Sequence, residues 1–222
     1  MNRQQERKNA HLGHVLLFAG PHGAGKDTLA AQFSESHPGA TRIVRHITRP
    51  PTPSEIDGQD YHFIDEARFL GMAAHGAFIE YAKYIGVMSG TSHTELTEKL
   101  QRSQFANLTS NFEDGLALHR KLGKRGLSSA CFFISPVPEA VIRDGPDEYL
   151  EALRERLGSR RRPSDLIEGR LAKAAAYRDL YLANEEEAIY IDNSNGRLEE
   201  AGRAIAHAAF ALTVEPAGVE PA

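Results

Sequence analysis

The sequence has no tryptophan, three methionines and one cysteine, and aromatic residues make up only 8% of its 222 residues. A single cysteine, Cys131, rules out an internal disulfide and fits a reducing compartment. It lies in the apolar run SACFFI (129–134), where a buried structural thiol is expected rather than a reactive one. No run approaches the roughly 18 to 20 apolar residues of a membrane span. The first eleven residues are polar and charged and lack a signal-peptide core, so a cytoplasmic protein with no membrane partner is expected. Neither charge sign dominates. Lys and Arg number 26 against 30 Asp and Glu, a net charge of −4, so whole-surface binding to nucleic acid is not favoured and none is expected as a partner. Any anion site must draw on local positive charge. There is no internal repeat. The length suits one domain over residues 1–212, and the Pro-rich end from 213 to 222 (TVEPAGVEPA) reads as a flexible tail.

The most informative stretch is Gly20-Pro21-His22-Gly23-Ala24-Gly25-Lys26-Asp27-Thr28. It follows the apolar run HVLLFA (14–19) and leads into LAAQF (29–33), which is the strand, glycine-rich loop and helix of a P-loop. Glycines let the backbone bend tightly and aim successive N–H groups at phosphate oxygens, helped by the helix N-terminus. Lys26 supplies a point charge to the terminal phosphates. The pattern calls for Ser or Thr after the lysine, but Asp27 stands there. Its carboxylate either helps to hold Mg²⁺, directly or through water, or points away as a favourable charge in the first helical turn. These residues, 20 to 28, are the expected ATP-binding set, with Asp27 the candidate metal ligand.

Apolar runs alternate with helical periodicity along the rest of the chain. Strands are expected at 41–47 (TRIVRHI), 105–109, 129–134 and 188–192, with short extended pieces from 78 to 88. Helices are expected at 65–74, from Ser92 onward, at 114–122, 149–157, 165–181 and 198–212. Ser92 and Asp165 each precede a glutamate at capping-box spacing. The stretch from Thr48 to Tyr61, rich in Pro and Gly, is too long for a mere connection and is a candidate functional loop. The alternation predicts an α/β fold: a P-loop NTPase in three α/β/α layers around a mostly parallel five-stranded sheet. In such sheets ligands bind at the C-terminal edge of the strands.

Three further stretches, taken with the P-loop, resemble the guanylate kinase family. They are Thr48-Arg49-Pro50-Pro51 with Glu55 and Gly58-Gln59-Asp60-Tyr61-His62-Phe63; Phe78-Ile79-Glu80-Tyr81 with Gly90-Thr91-Ser92; and Arg156-Leu157, Arg160 and Arg170-Leu171-Ala172. The resemblance implies an acceptor-binding insertion at about 45–92 and an arginine-bearing lid at about 156–172. It implies that Arg49 and Tyr61 hold an acceptor phosphate and that Glu80 meets guanine N–H groups. Glu55 is either a supporting charge or a solvated loop carboxylate. Thr91 is either a hydroxyl near the base or a helix cap. Arg160 and Arg170 fall where lid arginines cover the transferring phosphoryl, and with Lys26 they are the candidate catalytic residues. The arginines from 154 to 170 could otherwise form a solvated helix face or an RNA contact. Asn193 falls where a family asparagine lies near the adenine, or is a turn residue.

Several positions depart from the family pattern. Thr52 stands where a second arginine is usual, Ser89 replaces a phosphate-binding tyrosine, and Arg45 replaces a serine. Thr109-Ser110-Asn111 stands in place of a stretch with a guanine-contacting aspartate. Some of these changes resemble the ribose 1,5-bisphosphate phosphokinases, which share GKD in the loop, an R-x-I-T-R stretch like residues 45–49, and an N-x-x-G turn like residues 193–196. There Arg45 would suit an acceptor with a second phosphate. The resemblance therefore implies a kinase using ATP and Mg²⁺ on a small phosphorylated acceptor, GMP or ribose 1,5-bisphosphate, as monomer or homodimer. A guanylate-kinase-like binding domain without catalysis is the alternative from another class.

Overall fold

The computed structural model describes residues 12–84, 86–159 and 164–214. In chain order the first half contains β1 (His14–Ala19), α1 (Lys26–Ser36), β2 (Ala40–Arg42), β3 (His46–Ile47), β4 (His62–Phe63), α2 (Glu66–Ala74), β5 (Phe78–Tyr84), β6 (Val87–Ser92) and α3 (His93–Arg102). The second half contains β7 (Phe105–Ser110), α4 (Phe112–Lys124), β8 (Ser129–Ser135), α5 (Glu139–Asp144), α6 (Pro146–Gly158), α7 (Ser164–Leu182), β9 (Ile189–Asp192) and α8 (Leu198–Ala211). Five parallel strands form the central sheet in the order β2-β7-β1-β8-β9. A second sheet, β4-β3-β6-β5, is mixed, with β6 antiparallel to both of its neighbours.

The central strand shows why the layers form. Val15 to Ala19 are wholly buried, and alternate side chains serve opposite faces. Leu16 and Phe18 pack with Leu29 and Phe33 of α1 and Ile205 of α8. Val15 and Leu17 face the other way, toward Leu116 of α4, Leu153 of α6 and Tyr177 of α7. A strand covered on both sides needs apolar residues at every position, which is why its sequence reads as one unbroken run. Each such Leu or Phe contributes about 1.5–3 kcal/mol on burial. The fold is thus the expected three-layer α/β/α P-loop arrangement.

Helix starts follow their caps. Asp65, Ser92 and Asn111 each accept a hydrogen bond from the N–H three residues on, opening α2, α3 and α4. At Asp165, the other predicted cap, the side chain lies outside the described residues.

One expectation is corrected. The stretch from Thr41 to Ile47 is not a single strand. Ala40–Arg42 pairs with β7 at the edge of the central sheet, whereas His46–Ile47 joins the second sheet beside β6. Between them Ile43 and Val44 are buried in succession, which a straight strand with one exposed face does not allow. The Ile43 N–H still bonds the Asn107 carbonyl at 2.9 Å, while the Val44 N–H turns to the Glu95 carboxylate at 2.8 Å. That bend lifts residues 45–92 off the central sheet and sets them opposite the P-loop.

Candidate active site

The glycine-rich loop joins the C-terminal end of β1 to α1. Gly20 has φ +143°, and a Cβ there would meet the Ile134 carbonyl oxygen at 2.5 Å. Gly25, with φ +94°, stands at the N-cap of α1, and a Cβ there would meet the Asn193 amide nitrogen at 2.3 Å. At both positions only glycine fits. Gly25 provides no side-chain cap to the N-terminus of α1, the end of a helix that favours an anion. The Lys26 ammonium reaches back to the Pro21 carbonyl at 2.7 Å, across the mouth of the loop. Pro21 and Ala24 are buried beneath, while His22, Asp27 and Thr28 are exposed. Such a cradle suits the phosphate tail of ATP. Asp27, in the first turn of α1 and facing the same cleft, suits Mg²⁺.

Asn193 lies under this loop. It is 7% exposed, and its side-chain amide donates to the Ala24 carbonyl at 2.7 Å. Its own carbonyl accepts from Arg156 at 2.7 Å. The amide is thus engaged in holding the loop's shape.

A cleft of about 550 Å³ separates the loop from the second sheet. Lys26 and Asp27 line one side, and Arg45, Arg49 and Tyr61 line the other. The Arg49 guanidinium grips Glu55 with both terminal nitrogens, at 2.7 and 2.5 Å, and lies 5.2 Å from the Tyr61 ring centre and 5.6 Å from that of Phe63. Glu55 also accepts from the Thr52 N–H and hydroxyl, at 2.8 and 2.9 Å. The hydrogen bond from Arg49, followed by that from the Thr52 N–H, pulls the Glu55 carboxyl down to about 2. Glu55 is therefore a supporting charge that orients Arg49. Thr52, at the position where a second arginine is usual in the family, helps to hold that support.

Deeper in the second sheet, Glu80 accepts from Arg45 and from both the N–H and the hydroxyl of Thr91, which is fully buried. Ser92, not Thr91, caps α3. Thr91 is thus a strand residue that fixes Glu80.

The third wall of the cleft, at the end of β7 and the start of α4, is formed by Thr109, Ser110 and Asn111, the stretch that stands in place of a base-contacting one, together with Asp114, which sequence reasoning passed over. Asn111 donates to the Asp114 carboxylate at 2.7 Å and accepts from its N–H at 2.8 Å. The signal was present as an N-cap spacing directly after a strand, and β7 is the immediate neighbour of β1.

Of the candidate lid residues, Arg160 lies outside the described residues. Arg170 is half-buried on α7 and does not line the cleft. Arg154 pairs with Glu168 and thereby ties α6 to α7, and Arg156 bonds Asn193 and Asn195. Those two arginines are committed to internal contacts. Cys131 is buried, and burial pushes its thiol up to about 12, as expected of a structural cysteine. Among the described residues no helix is long and apolar enough to cross a membrane.

Comparison with known proteins places this geometry in context. The guanylate kinase family model matches residues 13–157. The chain is 32% identical over 209 residues to a guanylate kinase of Gloeobacter violaceus, covering 93% of this chain and 92% of that protein. It is 30% identical over 188 residues to one of Methylococcus capsulatus, covering 85% of each. The crystal structure of guanylate kinase from Anaplasma phagocytophilum superposes with a TM-score of 0.63 at 21% identity, covering 92% of this chain and 88% of that one, a likeness of fold.

Proposed function

Since this chain belongs to the guanylate kinase family, we propose that it transfers the γ-phosphoryl group of ATP to the phosphate of GMP, giving ADP and GDP. The observation that carries this reading is the shared cleft, where Lys26 and Asp27 of the loop face Arg45, Arg49 and Tyr61 of the acceptor sheet across about 550 Å³. The curated relatives named above are guanylate kinases, and that supports GMP over ribose 1,5-bisphosphate as acceptor.

The residues divide the work. The loop N–H groups and Lys26 bind the phosphate tail of ATP. Arg49, oriented by Glu55, and the Tyr61 hydroxyl bind the acceptor phosphate, with the guanidinium suited to a bidentate grip. Glu80 and Thr91 form the base end. An acceptor phosphate oxygen attacks in line, so no general base is required of the protein. Catalysis is positioning and charge neutralisation. Mg²⁺, when bound, supplies neutralisation of phosphate charge, and Asp27 is the residue that would hold it. We assign Arg160 and Arg170 to the lid that covers the transferring group and keeps water out. Asn193 acts on ATP binding indirectly, by bracing the loop.

A coupled assay of ADP release, with and without GMP, tests the proposal. GMP should accelerate release strongly, and ribose 1,5-bisphosphate should not. Acceleration by the sugar bisphosphate alone, or by neither, would refute it.

A further inference from the structure

Arg42 closes β2 at the edge of the central sheet, yet its side chain reaches the acceptor loop. Its backbone is held in that sheet. Arg42 pairs with Asn107 of β7, and the next N–H, of Ile43, bonds the Asn107 carbonyl at 2.9 Å. From this base the guanidinium lies over the Tyr61 ring, 5.8 Å from its centre, and Nη1 stands 3.7 Å from Asp60 Oδ1. The loop end that it meets is itself ordered by hydrogen bonds. Asp60 Oδ2 accepts from the Ile56 N–H at 2.8 Å, and the Tyr61 carbonyl accepts from the Gly58 N–H at 2.8 Å. Tyr61 thus carries two guanidinium groups, one from Arg49 of its own loop and one from Arg42 of the other sheet.

Arg42 does not line the cleft itself. It lines a smaller pocket of about 300 Å³, which shares Asp27 and Thr109 with the cleft. An effect of Arg42 on the acceptor by contact therefore passes through the residues it touches, Tyr61 and Asp60. The ion pair is long, and its side chains are 48% and 36% exposed, so it holds little and is screened by salt. The ring contact is the more informative one. A cation over an aromatic face is drawn to the ring quadrupole, and that attraction restricts where the ring and its hydroxyl sit. Phe63 also packs edge-on against Tyr61, at 5.8 Å, but it belongs to the small sheet and cannot tie the ring to the large one.

We infer that Arg42 is a positioning residue for the acceptor. It fixes the Tyr61 hydroxyl relative to the central sheet and so couples the acceptor-phosphate site to the sheet that carries the phosphate loop. The inference rests on the proposed role of Tyr61 in binding the phosphate of GMP. Arg42 lies outside the stretches that carry the family resemblance, so the resemblance gives it no role.

The test measures Kd for GMP by titration calorimetry, with steady-state kcat and KM for both substrates. The proteins are the wild type, Arg42→Gln, Arg42→Lys, Tyr61→Phe and the double variant Arg42→Gln/Tyr61→Phe. Arg42→Gln should weaken GMP binding about two- to fivefold, the range of a cation–π contact at an exposed site. KM for ATP and kcat should stay within about twofold, a change too small to count as a lost contact. Arg42→Lys keeps a cation for the ring and should recover most of the loss. Tyr61→Phe leaves no hydroxyl to place, so adding Arg42→Gln to it should leave GMP affinity unchanged. A long-range effect of the Arg42 charge on the GMP phosphate would persist in that background.

Unchanged GMP affinity in Arg42→Gln overturns the inference. So do equal losses for ATP and GMP, no recovery in Arg42→Lys, or the same loss with and without the Tyr61 hydroxyl. An Arg42→Gln protein that fails to fold makes Arg42 a structural residue and overturns it too. GMP bound by the wild type but indifferent to Arg42→Gln sinks this inference only. No GMP binding by wild-type protein that binds ATP sinks the acceptor reading itself.

Discussion

In the proposed reaction, Lys26 is the residue on which phosphoryl transfer most depends. Its ammonium rests on the Pro21 carbonyl, poised over the loop. Removing one preorganised donor to developing charge typically lowers kcat by about 10²–10³, and Lys26→Ala should fall in that range in the ADP-release assay. Asp27 is testable separately, because Asp27→Ala should raise the Mg²⁺ concentration for half-maximal turnover; an unchanged Mg²⁺ dependence would remove it from the metal site. His46 makes a prediction about stability. Burial, followed by the neighbouring charge of His62, pushes its pKa down to about 4. The folded protein therefore binds fewer protons than the unfolded chain between about pH 6.5 and about 4, so this group's contribution destabilises the fold as pH falls through that window. The midpoint of thermal unfolding should drop from pH 7 to pH 5, and the slope should be shallower in His46→Gln. An equal slope in the two proteins would put the effect elsewhere, for example on His14, His93 or His119, whose pKa values burial also lowers. Glu55 behaves differently: held near 2, it stays ionised throughout that range, and Arg49 keeps its orientation.

Among the elements, β1 and the loop after it were the most legible in the sequence, because a strand buried on both faces and a glycine-bound turn leave little choice of residue. Helices α3 and α2 were legible through Ser92 and the onset at Asp65. The division of residues 41–47 between two sheets was not, since it depends on Glu95, some fifty residues on, capturing the Val44 N–H. The role of Asn193 was hidden for the same reason: its partner, Ala24, lies 169 residues away. That contact yields a prediction for the element as a whole. Asn193→Ala leaves the buried Ala24 carbonyl without its donor and should cost about 1–3 kcal/mol. The loop should also loosen, seen as a raised KM for ATP. A stability and a KM both unchanged would show that Asn193 does not brace the loop.

For the whole molecule, the proposed reaction assigns one substrate to each sheet. The parallel sheet, clad on both faces, presents the loop at its C-terminal edge, and the smaller mixed sheet carries the proposed acceptor residues across the cleft. The resemblance to guanylate kinases named Arg49, Tyr61, Glu80 and Thr91, and these four share the small sheet and the loop leading into it. What could not be read was how they pair. Glu55 with Arg49 and Glu80 with Arg45 are contacts over 6 and 35 residues that no local pattern encodes. The Asp114 wall stayed hidden because it belongs to the cleft only once β7 has docked beside β1.

The most direct measurement is ³¹P NMR of the purified protein with ATP, Mg²⁺ and GMP, following the phosphorus signals as ATP is consumed. Resonances of ADP and GDP growing together, at matched rates and without inorganic phosphate, are the predicted result. Loss of ATP with phosphate appearing and GMP untouched, or no loss of ATP at all, would contradict it.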